Sequence, residues 1–319
     1  MLRLFFRSGI PDLLLFPFAS VSAVVLKTVR GLGLDRLPLT RKLLVAIGVL
    51  PIRDHYYEPL FNGKHLRHSL SDDRHLPGIN WNVSGQLALL ESLQFGHELS
   101  SVPDERPDDL RFHFVNGSFE SGDAEYWYNL IRLKKPSRII EVGSGHSTRM
   151  ARLAIDRNKH EDPSYSCRHT CIEPYEMPWL EQLNIEVKRE KVECLDPSFF
   201  AALQENDILF IDSSHVIRPQ GDVLYEILQL LPSLNNGVIV HFHDIFSPKD
   251  YKQDWVLNKI RLWNEQYLLE GFLTHNPSWS ILAAVNHLKH HHFDSLKRVC
   301  PRLTTDREPA SFYIQKIHH

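Results

Sequence analysis

An α/β fold, with a mostly parallel sheet covered by helices on both faces, is what this 319-residue chain predicts. Three observations carry that expectation. From about residue 138 onward, short apolar or β-branched runs alternate with stretches of helical periodicity, the order expected of βαβ units. One run, "DILFIDSSH", opens almost purely apolar, as a strand buried on both faces must be. And "RIIEVG" passes through Gly-Ser-Gly straight into a helical pattern, the junction at which such sheets hold ligands.

Residues 1–110 read as an accessory region, with turns at "FNGK", "LPGIN" and "VPDERPDD". Near its start, an uncharged stretch from Leu13 to Leu26 is flanked by Arg3, Arg7, Lys27 and Arg30. That stretch falls short of the about 20 residues a membrane-spanning helix needs, and Asp12 and Pro17 count further against one. It is expected to pack on the protein; the alternative is a basic apolar segment resting peripherally on the inner membrane of a cytoplasmic protein. "SGQLALLESLQF" predicts a helix capped by Ser84, and the charged "SSVPDERPDDLR" a linker leading into a main domain over 111–319.

In "SGDAEYWYNLIRLKKP", Ser121 is the expected helix cap, acids fill the first turn, and Pro136 stops the helix. There follow strand "RIIEVG", helix "STRMARLAIDRN", strand "HTCIEP", a weaker strand "IEVKRE" and the buried strand "DILFIDSSH". Helix "GDVLYEILQLLPSL" leads by an Asn-Gly turn to strand "NGVIVHFHDIF". A helix around "DWVLNKIRLWNEQYLL" and strands "WSILAAV" and "SFYIQKI" complete the pattern.

Composition sets bounds on partners. With 43% hydrophobic and 24% charged residues the chain can build an ordinary globular core, and a net charge of −3 gives no reason to expect nucleic acid. Cys167, Cys171, Cys194 and Cys300 form no CxxC pair, so reduced thiols are expected rather than a zinc ribbon or disulfide framework.

The glycine turn narrows the ligand. A dinucleotide fingerprint would place a third glycine at position 148, which is Thr148, and no Walker lysine follows. Neither NAD nor ATP suits it. Glu-x-Gly-x-Gly suits an adenosine ligand without phosphates, whose cationic end gains from a nearby carboxylate. Glu173, ending the second strand, is placed to accept hydrogen bonds from ribose hydroxyls beyond the carboxyl ends of the strands.

At "EVGSGHST" (141–148), "CIEP" (171–174), "ILFIDSSH" (208–215) and "GVIVHFHDIF" (237–246) the chain resembles the class I S-adenosylmethionine-dependent methyltransferases, in particular the small-molecule O-methyltransferases of methyltransferase family 24. The likeness covers roughly 136–317. It implies a seven-stranded Rossmann-like sheet whose last strand is antiparallel, and S-adenosyl-L-methionine as cofactor. Glu141, Gly143, Ser144 and Gly145 would line its methionine end, Glu173 its ribose, and Asp212 would also face it. The implied reaction is methylation of a hydroxyl on a sugar, glycan precursor or secondary metabolite.

Methyl transfer from a sulfonium needs an aligned, deprotonated acceptor. Asp212, Ser213 and His215 follow the fourth strand; His241, His243 and Asp244 lie on or after the fifth, and strand alternation should point His241 and His243 to one side, Phe242 to the other. Two mechanisms are open. In one, His215 or His243 is a general base oriented by a carboxylate. In the other, a divalent metal activates the acceptor oxygen. Related metal-dependent enzymes have an acid after the fourth strand and two adjacent oxygen ligands after the fifth; Asp212 and Asp244 match, but His243 departs, which favours Mn²⁺ or Fe²⁺ over Mg²⁺.

Other features are set lower. "HLKHHHFD" (287–294) is expected to be a solvated tract whose neighbouring histidines point apart. The aromatics of "DHYYEPLF" and "EYWYNL" fit either an acceptor lid or core packing. Two rival readings keep the fold: a metal-dependent hydroxylase-like relative, and a non-catalytic membrane or complex subunit. Acceptor identity and oligomeric state have no signal in the chain.

Overall fold

Period-two alternation in the central strands divides two cores. In β1 (Arg138–Val142), Ile139 enters one core while Ile140 and Val142 enter the other. β4 (Ile208–Ile211) does the same with Ile208 and Phe210 against Leu209 and Ile211, and β5 (Ile239–Phe242) with Ile239 against Val240 and Phe242. The computed structural model describes residues 10–175 and 177–317.

With β2 (Arg168–Ile172), β3 (Glu186–Lys188), β6 (Trp279–Ala284) and β7 (Phe312–Lys316), these strands form one seven-stranded sheet in the order β3-β2-β1-β4-β5-β7-β6. β7 pairs antiparallel with both β5 and β6; the other pairings are parallel. From β1 the chain adds β2 and β3 on one side and then crosses over to add β4 on the other, so a crevice opens beyond the carboxyl ends of the parallel strands β1 and β4. The expected sheet, including its antiparallel last strand, is the observed one.

Helices fill both faces. α4 (Asp123–Lys134) and α5 (His146–Glu161) bring Trp127, Ile131, Met150 and Ala154 to the first core, joined by α8 (Val285–His291) and α9 (Phe293–Val299). α6 runs as Asp222–Tyr225, a π stretch Glu226–Leu230, and Leu231–Ser233; with α7 (Glu265–Leu273) it closes the second core through Val223, Ile227, Leu230 and Leu269. Tyr126, Trp127 and Tyr128 are buried in the first core, which settles their role as packing rather than lid.

Several boundaries differ from the sequence expectation. The chain forms two units, one of residues up to Ser69 with Asp254–Leu262, the other Leu70–Gln253 with Trp263–His319, so the division falls at 69/70 rather than near 110. The reason lies in α3 (Val83–Ser92). Gln86 accepts from the Ala284 N–H at 2.8 Å and Asn82 donates to the Ile281 carbonyl at 3.0 Å, which covers the edge strand β6. Asn82, not Ser84, precedes this helix. The expected linker is stitched down by Phe114 and Val115 N–H groups donating to Pro103 and Asp104 carbonyls at 3.0 and 2.8 Å. At α4 the cap is Gly122; Ser121 instead donates to Glu125 at 2.7 Å. The helix expected around 254–269 breaks into a π turn, Asp254–Asn258, and α7, because the Asn264 side chain turns aside to accept from the Ile217 N–H at 2.6 Å.

The largest difference is at α1 (Ile10–Leu32), a helix of 23 residues. Pro11 sits in the first turn, where its missing N–H costs nothing, and Asp12 and Arg30 complement the helix dipole rather than opposing the helix. The window Pro11–Leu32 has mean hydropathy 1.7 and none of it is buried. Leu13, Phe16 and Phe18 are 79%, 67% and 75% exposed, and α1 is long and apolar enough to cross a membrane. Arg3 and Arg7 lie outside the described residues. α2 (Pro38–Ile47) follows, with Leu39, Leu43 and Ile47 exposed beside Arg41 and Lys42.

Candidate active site

The turn after β1 depends on Gly143. Its φ of +78° lies in the left-handed region, and a Cβ there would stand 2.0 Å from the Asp212 carbonyl oxygen. Only glycine lets the β1 and β4 ends approach so closely, with Asp212 N–H donating to Val142 at 2.8 Å. Gly143, Glu173, Asp212, Ser213 and Asp222 line one cavity of 330 Å³. Glu173 reaches its rim with both oxygens, accepting from the Ser144 and Tyr175 N–H groups at 3.4 and 3.1 Å. The glycine turn and the carboxylate one strand later therefore share a crevice of ligand-binding size.

Glu141 does not share it. This carboxylate is fully buried, accepts from Thr148 Oγ1 at 2.6 Å and Ser147 Oγ at 3.2 Å, and meets His169 Nε2 at 3.0 Å. The expectation that Glu141 lines the methionine end is corrected: it fastens the first turn of α5 to β1 and β2. Thr148, standing where a third glycine was looked for, also accepts from the Gly145 N–H at 3.1 Å and closes the turn. Gly145 has open space where a Cβ would go, which leaves its backbone accessible.

Past β4 and β5 the predicted residues converge. His215 Nδ1 is 2.7 Å from Glu265; its Nε2 is 3.2 Å from Asp212 and 3.8 Å from Asp244. His215 and Asp244 both hold positive φ, 60° and 61°, uncommon for side-chain-bearing residues and concentrated at functional sites. His241 and His243 do face the same side, packing near Phe119 and Phe210. His241 is buried against Tyr313, and burial first, then His243, keeps it neutral. His243 sits between Asp212, Asp244 and Asp123, each 3.6 to 3.7 Å away.

Charge follows from this arrangement. Burial opposes a charged His215, but Asp212 and Glu265 outweigh it and push its pKa well above the usual range; Asp244 and Asp212 do the same for buried His243. Burial would raise Asp212, yet His243 and His215 hold it below the usual carboxylate range. Burial raises Asp244 against the pull of His243. The carboxylates around them thus favour the charged form of both His215 and His243, against the expectation of an imidazole base near its natural pKa.

Residues 140–245, spanning β1 to β5, match a family model described as a methyltransferase domain, that of methyltransferase family 24. A protein of Archaeoglobus fulgidus, itself uncharacterized, is 30% identical over 167 residues, 48% of this chain and 74% of that protein. That match makes residues 140–245 an S-adenosylmethionine-dependent methyltransferase domain. This methyltransferase also has distant likenesses among solved structures. One is an O-methyltransferase from Bacillus cereus in complex with S-adenosylhomocysteine (12% identity, 73% of this chain and 91% of that chain, TM-score 0.37). Another is the TDP-rhamnose 3'-O-methyltransferase CalS11 (16% identity, 60% and 76%, TM-score 0.34). Both are too distant to transfer a substrate or a residue role.

The methyltransferase places further groups at its site that the sequence did not flag. Glu265 comes from α7, fifty positions from His215, and Asp123 from the start of α4, where it accepts from the Ala310 and Ser311 N–H groups at 2.9 and 2.7 Å. Beyond the glycine turn, Arg149 lies with its guanidinium 4.0 Å over the Trp179 ring and its Nε unpartnered. His113 and His146 stack edge-on beside it at 5.0 Å, and burial together with Arg149 pushes His146 down to about 4. Ser144 Oγ and both imidazole Nδ1 atoms are likewise buried without partners. No local pattern marks Glu265 or Arg149; each becomes visible only when the elements pack.

The methyltransferase also has a donor set that fits a metal. Asp212, His215 and Asp244 each offer a ligand atom, all within 4.8 Å of one another. Glu265 on Nδ1 fixes the His215 ring with Nε2 turned toward the two acids, the usual support of a metal-bound imidazole. Two carboxylates and an imidazole suit Mn²⁺ or Fe²⁺ better than Mg²⁺. Such an ion would take the place of the proton on His215 Nε2 and would lower the pKa of a bound hydroxyl.

Proposed function

We propose that this methyltransferase methylates a hydroxyl oxygen on a sugar, glycan precursor or secondary metabolite presented at a membrane surface. The observation that carries the oxygen acceptor is the carboxylate–imidazole cluster at the ends of β4 and β5, which opens onto the cofactor cleft through Asp212. An alcohol is a poor nucleophile, and this cluster supplies a proton acceptor and a fixed cation within one site. Asp244 takes the hydroxyl proton as the O–CH₃ bond forms and the C–S⁺ bond breaks. His215, held cationic, stabilises the developing alkoxide. S-adenosylhomocysteine leaves as a neutral thioether.

In the same reading Glu173 binds the ribose hydroxyls and Gly143, Ser144 and Gly145 border the methionine end. Arg149, with His113 and His146, offers unspent donors to the cofactor's carboxylate. Glu173→Ala should weaken S-adenosylhomocysteine binding by about 1–3 kcal/mol in calorimetry, as for hydrogen bonds to a charged acceptor. Unchanged affinity removes Glu173 from the ribose. The reaction is tested with labelled S-adenosylmethionine and a panel of sugars, glycan precursors and phenols. Label in a base-stable ether supports the reading. Label found only in base-labile esters or on nitrogen overturns it.

The membrane part rests on α1. Its 23 residues span about 34 Å at 1.5 Å per residue, against about 30 Å of hydrocarbon. Lys27 lies in the last two turns of α1 and Arg36, Arg41 and Lys42 follow it, suited to anionic headgroups on the cytoplasmic side. In flotation assays the full chain should rise with anionic vesicles, and a variant lacking residues 1–45 should stay with the soluble fraction. Equal partitioning of the two ends this part of the proposal.

A further inference from the structure

The histidine tract at 287–294 is not simply solvated. His287 and His291 stand one turn apart on α8, so both rings rise from one face, with centroids 4.4 Å apart. His290 leaves that face and meets Glu308 at 2.9 Å. Neighbouring histidines do point apart, as expected, but the i, i+4 pair converges.

Asp73 completes the convergence. It belongs to a segment tied to the loop after β5, with the Arg74 N–H donating to Pro248 at 3.1 Å and the Asp250 N–H to Leu70 at 3.2 Å. Asp73 Oδ2 lies 2.6 Å from His291 Nε2, and one donor atom from each of Asp73, His287 and His291 falls within 4.8 Å of the others. His287 is braced by Trp81 at 5.5 Å between ring centroids, and its Nδ1 is buried without a hydrogen-bond partner.

We propose that Asp73, His287 and His291 form a binding site for a borderline divalent transition metal such as zinc, separate from the methyl-transfer centre, which clamps residues 70–74 to α8. Two imidazoles and one carboxylate are a donor set for Zn²⁺ or Co²⁺ rather than Mg²⁺ or Ca²⁺. Lys249 Nζ holds the other Asp73 oxygen at 2.9 Å and also donates to the Ser71 carbonyl at 2.5 Å. Its charge lowers affinity for a cation, but it fixes the carboxylate with Oδ2 facing His291, where a metal would replace the proton shared between them. Three protein ligands leave a fourth position to water.

The test is a Co²⁺ titration of the full chain, read by the visible absorption of tetrahedral cobalt, in wild type and in His287→Ala, His291→Ala and Asp244→Asn. The tetrahedral cobalt signal should persist in Asp244→Asn, which removes a donor only at the methyl-transfer centre, and either histidine variant should bind at this site about tenfold more weakly or worse. Zinc should raise the denaturation midpoint of wild type and Asp244→Asn but not of His291→Ala. His291 is an exposed side chain, so its loss should leave the fold intact. Equal cobalt affinity in all four proteins, absence of the tetrahedral spectrum, or loss of binding in Asp244→Asn alone overturns the site. Calorimetry with S-adenosylhomocysteine reads the methyltransferase assignment independently.

Discussion

Asp244→Asn should lower turnover by roughly 10²–10⁴-fold, the range general acid–base catalysis contributes, while S-adenosylhomocysteine binds as in wild type. The substitution is chosen for its backbone. Asp244 sits at φ 61°, a conformation asparagine tolerates as well as aspartate does, so the chain turn after β5 survives and only the charge is removed. Asp244 does not line the cofactor cleft, whereas Asp212 does. The loss should thus appear in the chemical step, measured by single-turnover transfer of labelled methyl, and not in calorimetric binding of the demethylated cofactor. The same loss is expected whether the carboxylate takes the proton itself or serves as a metal ligand; activity that falls on chelation and returns with Mn²⁺ separates these. Full turnover in the variant would falsify the role given to the cluster.

Gly143→Ala should destabilise the fold by about 2–5 kcal/mol, combining left-handed strain with overpacking. The added methyl would meet the Asp212 carbonyl oxygen at 2.0 Å, an atom that cannot retreat without disturbing the link between the ends of β1 and β4. Gly145→Ala is the control. That position has open space and an extended φ of −177°, so it should cost far less stability and instead crowd the ligand's approach. Urea denaturation of the two variants, paired with cofactor calorimetry, distinguishes a glycine needed by the fold from one needed by the ligand. Equal stability losses would refute the distinction.

Pocket-forming residues close in sequence to a strand end were readable early; those delivered by a distant element were not. Gly143, Glu173, Asp212, His215, His243 and Asp244 could all be singled out because each follows a recognisable apolar run, and in an α/β sheet those ends share one side. Their charge states could not. His215 and His243 read as bases near their natural pKa, and only the fold surrounds the first with Asp212 and Glu265 and the second with Asp244, Asp212 and Asp123, which favour their charged forms. Glu141 looked like a ligand group because it precedes the glycine turn, yet Thr148, Ser147 and His169 enclose it.

By itself the sequence determined the order of strands and helices, the sites of the tight turns, and the class of cofactor, because periodicity, β-branching and glycine placement act over a few residues. Tertiary structure alone decided which buried acids and imidazoles face one another, and where the first unit ends. It also brought Asp73 to two histidines more than two hundred positions away. The physical reason is that burial and ion pairing depend on distances across the folded chain, which no local pattern of residues encodes.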